Sequence, residues 1–350
     1  MRCVTFQSDM KKAWDEYVQG HPHAWVGHIS GMFEFASAHN KAKNYSQVVL
    51  DDRERIIGIL PLFLSERRSH LLFKIRRLHS GSQLRSGPLI KLELHMSKTY
   101  ENILYLLTEQ VRKLAGSLSV DEVIIPYQCI VGDRTSIDYY GYLPLRSYGY
   151  QNTDVTAMIL DLSMDESELF ANLTSNCRKM IRRAIKEDAE VRPFTNRDHW
   201  LGCYDLNCGT LQKGAYSMQT MEVIWDEFIA PGYAHALGIY HQQNISNVIV
   251  TALLGSAGYY WIGLNARPVF LKGGANLAMW ESIKHCKRMG CRYFEIGSKE
   301  FSDSKAIAIS KFKEQFNGRP VSTLLGKLYP KPVKHALRQL LGALKSGHRN

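Results

Sequence analysis

The chain has 350 residues, about two to three times the usual length of one domain, which favours two domains or one large α/β unit. Its composition, 45% hydrophobic and 22% charged with 26 Gly and 11 Pro, is globular and excludes collagen-like, mucin-like and wholly disordered chains. The 44 basic and 33 acidic residues leave a net charge of +11, which indicates an anionic partner.

The first half of the sequence predicts helices, then antiparallel strands, and then a loop, a helix and a strand. Helices are predicted around Trp14, around Phe33 and over 97–114. Strands are predicted at 46–50, 56–64, 71–78, 120–126 and 155–162. The segment 80–88 is rich in Gly and Ser and is predicted to be a loop.

The second half predicts the same order of elements. Helix-capping residues at 163–166 precede one long amphipathic helix, whose stripe is formed by Leu169, Leu173, Cys177, Ile181 and Ala184. Further helices are predicted at 200–211, 221–228 and 276–289, and strands at 236–241, 247–254, 259–265 and 293–296. A glycine-containing loop over 267–275 precedes the helix at 276–289.

The cysteines and the N-terminal segment indicate a reducing compartment. Seven cysteines are too few and too scattered for a disulfide framework, and none forms a C-x-x-C pair, so we expect reduced thiols and no metal site. Charged residues such as Arg2 and Asp9 interrupt the N-terminal segment, and no run approaches 18 apolar residues. We therefore expect a soluble, cytoplasmic protein.

One loop has the composition of a phosphate site. The chain lacks G-x-x-x-x-G-K-[ST], G-x-G-x-x-G after a strand, G-x-S-x-G and H-E-x-x-H, which excludes the common ATPase, Rossmann, serine hydrolase and zinc protease sites. Between a strand and a helix lie Lys272, Gly273, Gly274, Ala275 and Asn276. Small residues allow backbone N–H groups to approach a phosphate at the helix N-terminus, although a tight turn alone also explains the glycines. Lys272 and Arg267 are candidates for additional positive charge.

Three segments in the second half resemble the motifs of Fem-like acyltransferases of the GNAT superfamily. The segment 274–297, GANLAMWESIKHCKRMGCRYFEIG, is similar to the family's small-residue loop, helix with a central Trp, and aromatic-acidic-aliphatic-Gly strand. The segment 309–318 is similar to the family's Phe-Lys-x-x-Phe-Gly segment, and 176–186 is similar to its Asn-x-Arg-x-x-Ile-x-x-Ala helix. The likeness covers about residues 165–320 well and the first half loosely.

This resemblance implies two GNAT-like domains in tandem, each a mixed, mainly antiparallel sheet flanked by helices. The domains are expected at 1–162 and 163–330, with a basic amphipathic helix over 331–350. The implied activity is N-acyl transfer, with acyl-CoA favoured over aminoacyl-tRNA as donor. The implied acceptor is an amine of a sugar, glycan or peptidoglycan-type precursor of the cell envelope.

The resemblance also assigns residues to the reaction. Lys313 matches a family lysine near the reactive end of the donor, where a cation stabilises the oxyanion, and Phe312 lies beside it. The candidates for a base or proton relay are Glu295, Tyr259 and Tyr260.

Two basic segments are predicted to bind anions. Arg178 and Arg182 are four residues apart on one helix flank, from which they are predicted to grip phosphates of a substrate. Residues 331–345 form a cationic amphipathic pattern, which suits either an anionic membrane surface or packing on the second domain. Two alternatives to an enzyme remain: a non-catalytic nucleic-acid-binding protein, and a degenerate GNAT scaffold kept for interactions.

Overall fold

A computed structural model describes residues 1–68, 74–81, 83–153, 155–206, 216–266, 271–299, 301 and 303–336 of the chain. The first half contains short strands around one long helix. Its elements are β1 (Arg2–Thr5), α1 (Lys11–Gln19), α2 (Gly31–Asn40), β2 (Lys43–Asn44), β3 (Gln47–Leu50), β4 (Ile56–Leu60), β5 (Phe63–Arg68), β6 (Lys74–His79), β7 (Leu89–Ile90), α3 (Lys98–Ser117), β8 (Glu122–Pro126), β9 (Ile130–Val131), β10 (Arg134–Thr135), α4 (Ser136–Tyr140) and β11 (Gln151–Asn152).

The second half begins with a strand and two helices and ends with two further strands. Its elements are β12 (Val155–Asp161), α5 (Glu166–Asn172), α6 (Ser175–Lys186), β13 (Glu190–Pro193), α7 (Arg197–Leu201), α8 (Met218–Ile224), β14 (Ala234–His241), β15 (Asn244–Leu254), β16 (Ala257–Asn265), α9 (Gly274–Arg288), β17 (Tyr293–Ser298), α10 (Ser304–Glu314), β18 (Arg319–Thr323) and β19 (Leu325–Leu328). Parts of the elements predicted at 71–78, 200–211 and 267–275 lie outside the described residues.

The strands form three main sheets of mixed, mainly antiparallel character. Their orders are β1-β3-β4-β7, β11-β19-β8-β6-β5-β2 and β13-β14-β15-β16-β17-β12-β18. Among the described strands, β6 with β8 and β16 with β17 are the parallel neighbours. Each parallel pair is connected through a helix, α3 in the first half and α9 in the second. The predicted α/β class and the repeated order of elements are therefore confirmed.

The seven-stranded sheet is covered on both faces. Helices α6 and α9 pack on one face, where Ile181 and Phe294 are buried in the same core. The other face packs against first-half side chains such as Trp14 and Phe35, in a core that also contains Val250. Because one apolar core spans both halves, the first half fixes the position of the central strands of the second.

Two strands cross the predicted domain boundaries. Strand β12, which the sequence analysis placed at the end of the domain 1–162, lies between β17 and β18 in the seven-stranded sheet. Strand β19, placed in the domain 163–330, pairs with β8 and β11 in the six-stranded sheet. The division into 1–162 and 163–330 stays a prediction. These two strands join the sheet of the other half, which the sequence did not indicate, because the pattern of a strand shows its burial but not the sheet that it joins.

The long helix predicted from 163–166 through Ala184 is two helices. Leu173 has an extended conformation (φ −62°, ψ 152°), and the hydroxyl of Thr174 caps α6 by accepting a bond from the Cys177 N–H (3.3 Å). Leu173 and Cys177 are nevertheless buried in the same core. The apolar stripe therefore continues across the break, and the capping residue was the signal that the prediction missed.

The C-terminal segment contacts the first half of the chain. A helix begins at 332 and is described to 336, while 337–350 lie outside the described residues. The Lys331 ammonium donates to the Ser119 carbonyl (3.0 Å), and Lys334 pairs with the buried Asp121 carboxylate (2.7 Å). This end of the segment thus packs on the first half rather than on the second domain.

The membrane contact predicted for 331–345 stays a prediction. In the described part of the chain, no helix is both long enough and apolar enough to cross a membrane.

Candidate active site

The parallel strands β16 and β17 separate after three residue pairs. They are in register from Ala257 opposite Tyr293 to Tyr259 opposite Glu295. Beyond that point, β16 continues beside β15 and β17 continues beside β12. No described strand lies in the gap, so main-chain groups along one edge of residues 260–264 pair with no strand. An extended ligand that contains amides can hydrogen-bond to such an edge.

A cavity of about 420 Å³ opens on one face of the sheet at this gap, between α9 and α10. Its wall is mostly apolar and includes Ala278, Met279 and Phe312, and Asn247 and Tyr260 contribute polar groups. The volume lies within the range of small-molecule sites, roughly 300–1,000 Å³. The predicted donor residues Phe312 and Ala275 both line this cavity.

Tyr260 lies on the cavity side of β16 because of a bulge. On β15, Thr251 pairs with Tyr260 and Val250 pairs with Ile262, so Trp261 of β16 has no partner and forms the bulge. The extra residue puts Tyr260 and Gly263 on the same face of the sheet. A Cβ at Gly263 would lie 2.2 Å from the Tyr260 hydroxyl oxygen, so the ring needs glycine at this position. Burial raises the pKa of Tyr260 to about 12, so its hydroxyl is protonated at neutral pH and can donate a proton.

The loop before α9 is closely packed against its neighbours. Gly273 has φ +92°, and a Cβ there would lie 2.2 Å from the Met180 carbonyl oxygen. A Cβ at Gly274 would lie 2.0 Å from the Oδ1 atom of Asn247. Both glycines are therefore required by packing within the protein, in addition to any role toward a ligand. Arg267, predicted to add charge here, lies outside the described residues.

The other predicted donor residues have different environments. The buried amide of Asn276 donates to the Cys177 sulfur (3.4 Å) and to Oε1 of Gln315 (3.2 Å), so this side chain connects α9 to its neighbours. Lys272 is exposed beside the same helix N-terminus. The N–H groups in the first turn of a helix have no intrahelical acceptor, and Ala275 in that turn borders the cavity.

Lys313 belongs to α10, and its ammonium lies at the C-terminal end of β17, where β16 and β17 have diverged. Its Nζ atom donates to the Ser298 carbonyl (2.8 Å). Gly297 has φ +93°, and a Cβ there would lie 3.1 Å from Lys313 Nζ and 3.7 Å from the Tyr259 hydroxyl. Glycine therefore leaves room beside β17 for both the ammonium and the hydroxyl. Burial and the nearby carboxylate of Glu295 raise the pKa of Tyr259 above its usual value, which keeps this hydroxyl protonated.

Glu295 lies on the face of β17 opposite the cavity and is bound by an arginine from the first half. The Nη1 atom of Arg85 lies 2.5 Å from Glu295 Oε1 and 2.7 Å from the Cys129 sulfur, and Nη2 donates to Ser298 Oγ (2.9 Å). The side chains of Arg85 and Glu295 are only 18% and 5% exposed. The carboxylate predicted as a base candidate thus forms a buried ion pair between the two halves.

Sequence reasoning missed Arg85. The available signal was a single arginine in the Gly- and Ser-rich loop at 80–88, but its partner Glu295 is 210 residues away in the chain. Cys129, also in contact with Arg85, is a neutral thiol, because burial raises its pKa well above the usual value even though the nearby Arg85 lowers it.

Arg178 and Arg182 are directed toward α5. The Nη1 atom of Arg178 donates to the Ala171 carbonyl (2.5 Å) and to the Leu173 carbonyl at the C-terminal end of that helix. The guanidinium of Arg182 lies 5.4 Å from the centre of the Phe170 ring. The structure does not bring either side chain to the cavity, and their contact with substrate stays a prediction. Among the described residues, no group of three or more His, Cys, Asp or Glu side chains could hold a metal ion.

Comparison of the sequence with protein-family models gives no match, and comparison with curated proteins gives none either. Solved structures match along nearly the whole chain. FemX is 12% identical with a TM-score of 0.69, over 96% of this chain and 99% of FemX. L-PGS from Bacillus licheniformis is 11% identical with a TM-score of 0.58, over 96% of each chain. A tandem GNAT protein from the clavulanic acid biosynthesis pathway is 13% identical with a TM-score of 0.54, over 95% of this chain and 99% of that one.

These likenesses define the fold. The protein has the fold of FemX and of the tandem GNAT protein, two α/β units in tandem, which is the fold that the sequence resemblance implied. In both halves, a parallel strand pair connected through a helix forms the centre of the unit.

Proposed function

We propose that the protein is an N-acyltransferase that moves an acyl or aminoacyl group from an activated donor to an amine. The observation that carries the proposal is the cavity of about 420 Å³ at the gap between β16 and β17, with Lys313 at the end of β17. The open strand edge can hold the amides of a donor. A cation at the end of that edge can stabilise the oxyanion that forms when an amine attacks the acyl carbonyl.

Acyl-CoA is the donor that we favour over aminoacyl-tRNA. The apolar cavity wall, which includes Ala278, Met279 and Ile309, suits a pantetheine arm and an acyl chain. Ala275 in the first turn of α9 lines this cavity, and the exposed Lys272 lies just before that helix, so the helix N-terminus and the ammonium offer donors for phosphates. The tandem GNAT protein from the clavulanic acid pathway was solved without AcCoA, and this link between the fold and AcCoA is a reason to test a CoA thioester first.

In the proposed reaction, a C–N bond forms and a C–S bond breaks. The lone pair of the acceptor nitrogen attacks the acyl carbonyl carbon, and Lys313 stabilises the resulting oxyanion. When the intermediate collapses, the thiolate leaves and takes a proton from the Tyr260 hydroxyl, which lines the donor cavity. The proton lost by the acceptor nitrogen returns to Tyr260 through water. Glu295 has no proton-transfer role in this scheme, because it pairs with Arg85 on the other face of the strand.

The acceptor that we propose is an amine of a sugar, glycan or peptidoglycan-type precursor in cell-envelope synthesis. The resemblance to Fem-like enzymes supports this class. The net charge of +11 also favours an acceptor that carries phosphate or a nucleotide.

Donor binding tests the cavity. Acetyl-CoA and longer acyl-CoAs are added to the protein, and the unfolding midpoint is measured. A donor at a hundredfold excess over its dissociation constant should stabilise the folded state by about 2.7 kcal/mol. Ile309→Trp should abolish this effect, because Ile309 is a partly exposed residue in the cavity wall. Met289→Trp is the matched control, since Met289 is exposed directly after the C-terminal end of α9 and lies outside the cavity wall.

Turnover tests the reaction. Release of free CoA thiol and the intact mass of amino-sugar nucleotide acceptors are followed together, and aminoacyl-tRNA is assayed in parallel as the alternative donor. Acylated acceptor with an equal amount of released thiol supports the proposal. Binding of tRNA without transfer, weakening log-linearly with salt, would favour the nucleic-acid-binding alternative instead.

A further inference from the structure

Residues 83–88, which precede β7, are held against the core of the first half. The Ser86 hydroxyl donates to the Gly27 carbonyl (2.8 Å), and the Gly87 N–H donates to the Ser80 hydroxyl (3.0 Å). A Cβ at Gly27 would lie 2.1 Å from the Arg85 carbonyl oxygen, so the two backbones are in close contact. These contacts fix the backbone of Arg85 relative to the core of the first half.

The Arg85 side chain crosses from this loop to the reactive end of β17. One guanidinium nitrogen binds Glu295, and the other donates to Ser298 Oγ. The carbonyl of the same residue, Ser298, accepts the hydrogen bond from Lys313. Ser298 is therefore held through its side chain by one half of the molecule and through its carbonyl by α10 of the other.

Among the described strands, the end of β17 has a neighbour on one side only. Strand β17 pairs with β12 along its length, as far as Ser298 opposite Ala157 and across a register shift between Met158 and Ile159, whereas its pairing with β16 ends at Glu295. Gly297 follows in a left-handed conformation. Without Arg85, the Glu295 carboxylate would be buried without its cation, which favours movement of the strand toward water. The position of Ser298 thus depends on Arg85.

We propose that Arg85 is a positioning residue that holds Lys313 at the reactive end of the donor site through Ser298. This inference rests on the proposed function, in which Lys313 stabilises the oxyanion. Arg85 is outside the wall of the donor cavity and acts through another residue. The planar fork of arginine directs separate nitrogens to Glu295 and Ser298, whereas a lysine at this position offers a single nitrogen on a flexible stem.

The first test measures the chemical reactivity of the Lys313 ammonium, which depends on its hydrogen bond to Ser298, and needs no assay of enzyme activity. Lysines are labelled with trace acetic anhydride, and the rate at each site is measured by mass spectrometry in wild type, Arg85→Gln and Arg85→Lys. We expect Lys313 to react several-fold faster in Arg85→Gln, because its ammonium loses the Ser298 carbonyl, and to an intermediate degree in Arg85→Lys. Lys305, exposed on the same helix, is the internal reference.

A control variant shows whether the effect on Lys313 is specific to Arg85 or follows from the loss of any ion pair between the two halves. Lys11 pairs with Glu227 of the second half at an exposed site (3.3 Å), so Lys11→Gln removes an ion pair between the halves far from β17. It should leave Lys313 labelling unchanged. If Arg85→Gln does not fold, Ser298→Ala takes its place, because it removes the hydroxyl acceptor alone and should also expose Lys313.

The second test uses turnover. Arg85→Gln should lower turnover about 10²-fold, the typical cost of misplacing a reacting group, while the donor dissociation constant stays unchanged. Arg85→Lys should restore part of the loss. Equal labelling of Lys313 in wild type and Arg85→Gln overturns the positioning role. Absence of transfer in wild type, with labelling changed as expected, counts against the proposed function and leaves the positioning role supported.

Discussion

The residues with candidate chemical roles lie on two faces of neighbouring strands. Tyr259 and Tyr260 are consecutive on β16 and therefore point to opposite sides of the sheet. Tyr260 faces the cavity of about 420 Å³, whereas Tyr259 and Glu295 face the first half. Groups from both faces can approach one acyl carbonyl only where the strands diverge, and Lys313 lies at that point.

Replacing Lys313 tests its charge. Lys313→Met keeps the length of the side chain and removes the ammonium, so turnover should fall by about 10²–10³ while donor affinity changes little, since oxyanion charge exists only in the transition state. Steady-state turnover and donor binding are measured on the same preparation. Lys311→Met is the control, because Lys311 is exposed on the same helix. Turnover close to wild type in Lys313→Met would exclude an oxyanion role.

Gly274 gives a prediction about stability rather than about ligand binding alone. Its missing Cβ leaves space for Asn247 Oδ1, so Gly274→Ala should destabilise the fold by about 1–3 kcal/mol through overpacking. The cost should be smaller when Asn247→Ala is already present, because the clashing atom is then absent. Urea unfolding of the two single variants and the double variant measures this coupling. Strict additivity would contradict the packing explanation.

At the scale of elements, sequence patterns predicted the helix and strands around the cavity but not the contacts between distant segments. The helix predicted at 276–289 is observed at Gly274–Arg288, because its apolar spacing and its preceding glycines are local signals. The strands around it were also predicted. The break at Leu173 was missed because the buried residues keep helical spacing on both sides of it. The Arg85 pair was not predictable because no local pattern encodes a contact across 210 residues.

The contact between β14 and α9 predicts a dependence of stability on pH. The rings of His235 and His285 stack at 3.6 Å, and burial, His285 and Arg288 lower the pKa of His235 to about 4. Because the unfolded pKa is near 6.5, the unfolded chain binds the proton first as the pH falls. The free energy of unfolding should therefore decline between about pH 6.5 and pH 4.

Substitution of His235 measures its share of this decline. His235→Phe preserves an aromatic ring for the stack and removes the proton site. Its free energy of unfolding, followed by urea unfolding from pH 8 to pH 4, should fall less steeply than that of wild type. Parallel curves for the two chains would show that His235 does not contribute.

At the scale of the whole molecule, the two halves exchange strands and share a core. Strand β12 lies within the second sheet, and β19 returns to the first half beside β8. Apolar side chains of both halves fill one core behind the seven-stranded sheet. The relative position of the halves is therefore part of the fold, which explains how a side chain from the first half can be bound at the end of β17.

Two truncations test whether the first half needs the returning strand. A chain that ends at Pro330 keeps β19 and loses the contacts of Lys331 and Lys334, so it should fold with modestly reduced stability. A chain that ends at Leu324 also loses β19, which leaves the backbone groups of β8 that face it without a partner in the middle of the six-stranded sheet. Amide hydrogen exchange over 122–125 should then change from slow to fast in the shorter chain alone. Slow exchange in both chains would show that the first half folds without β19 and that the exchange of strands contributes nothing to its stability.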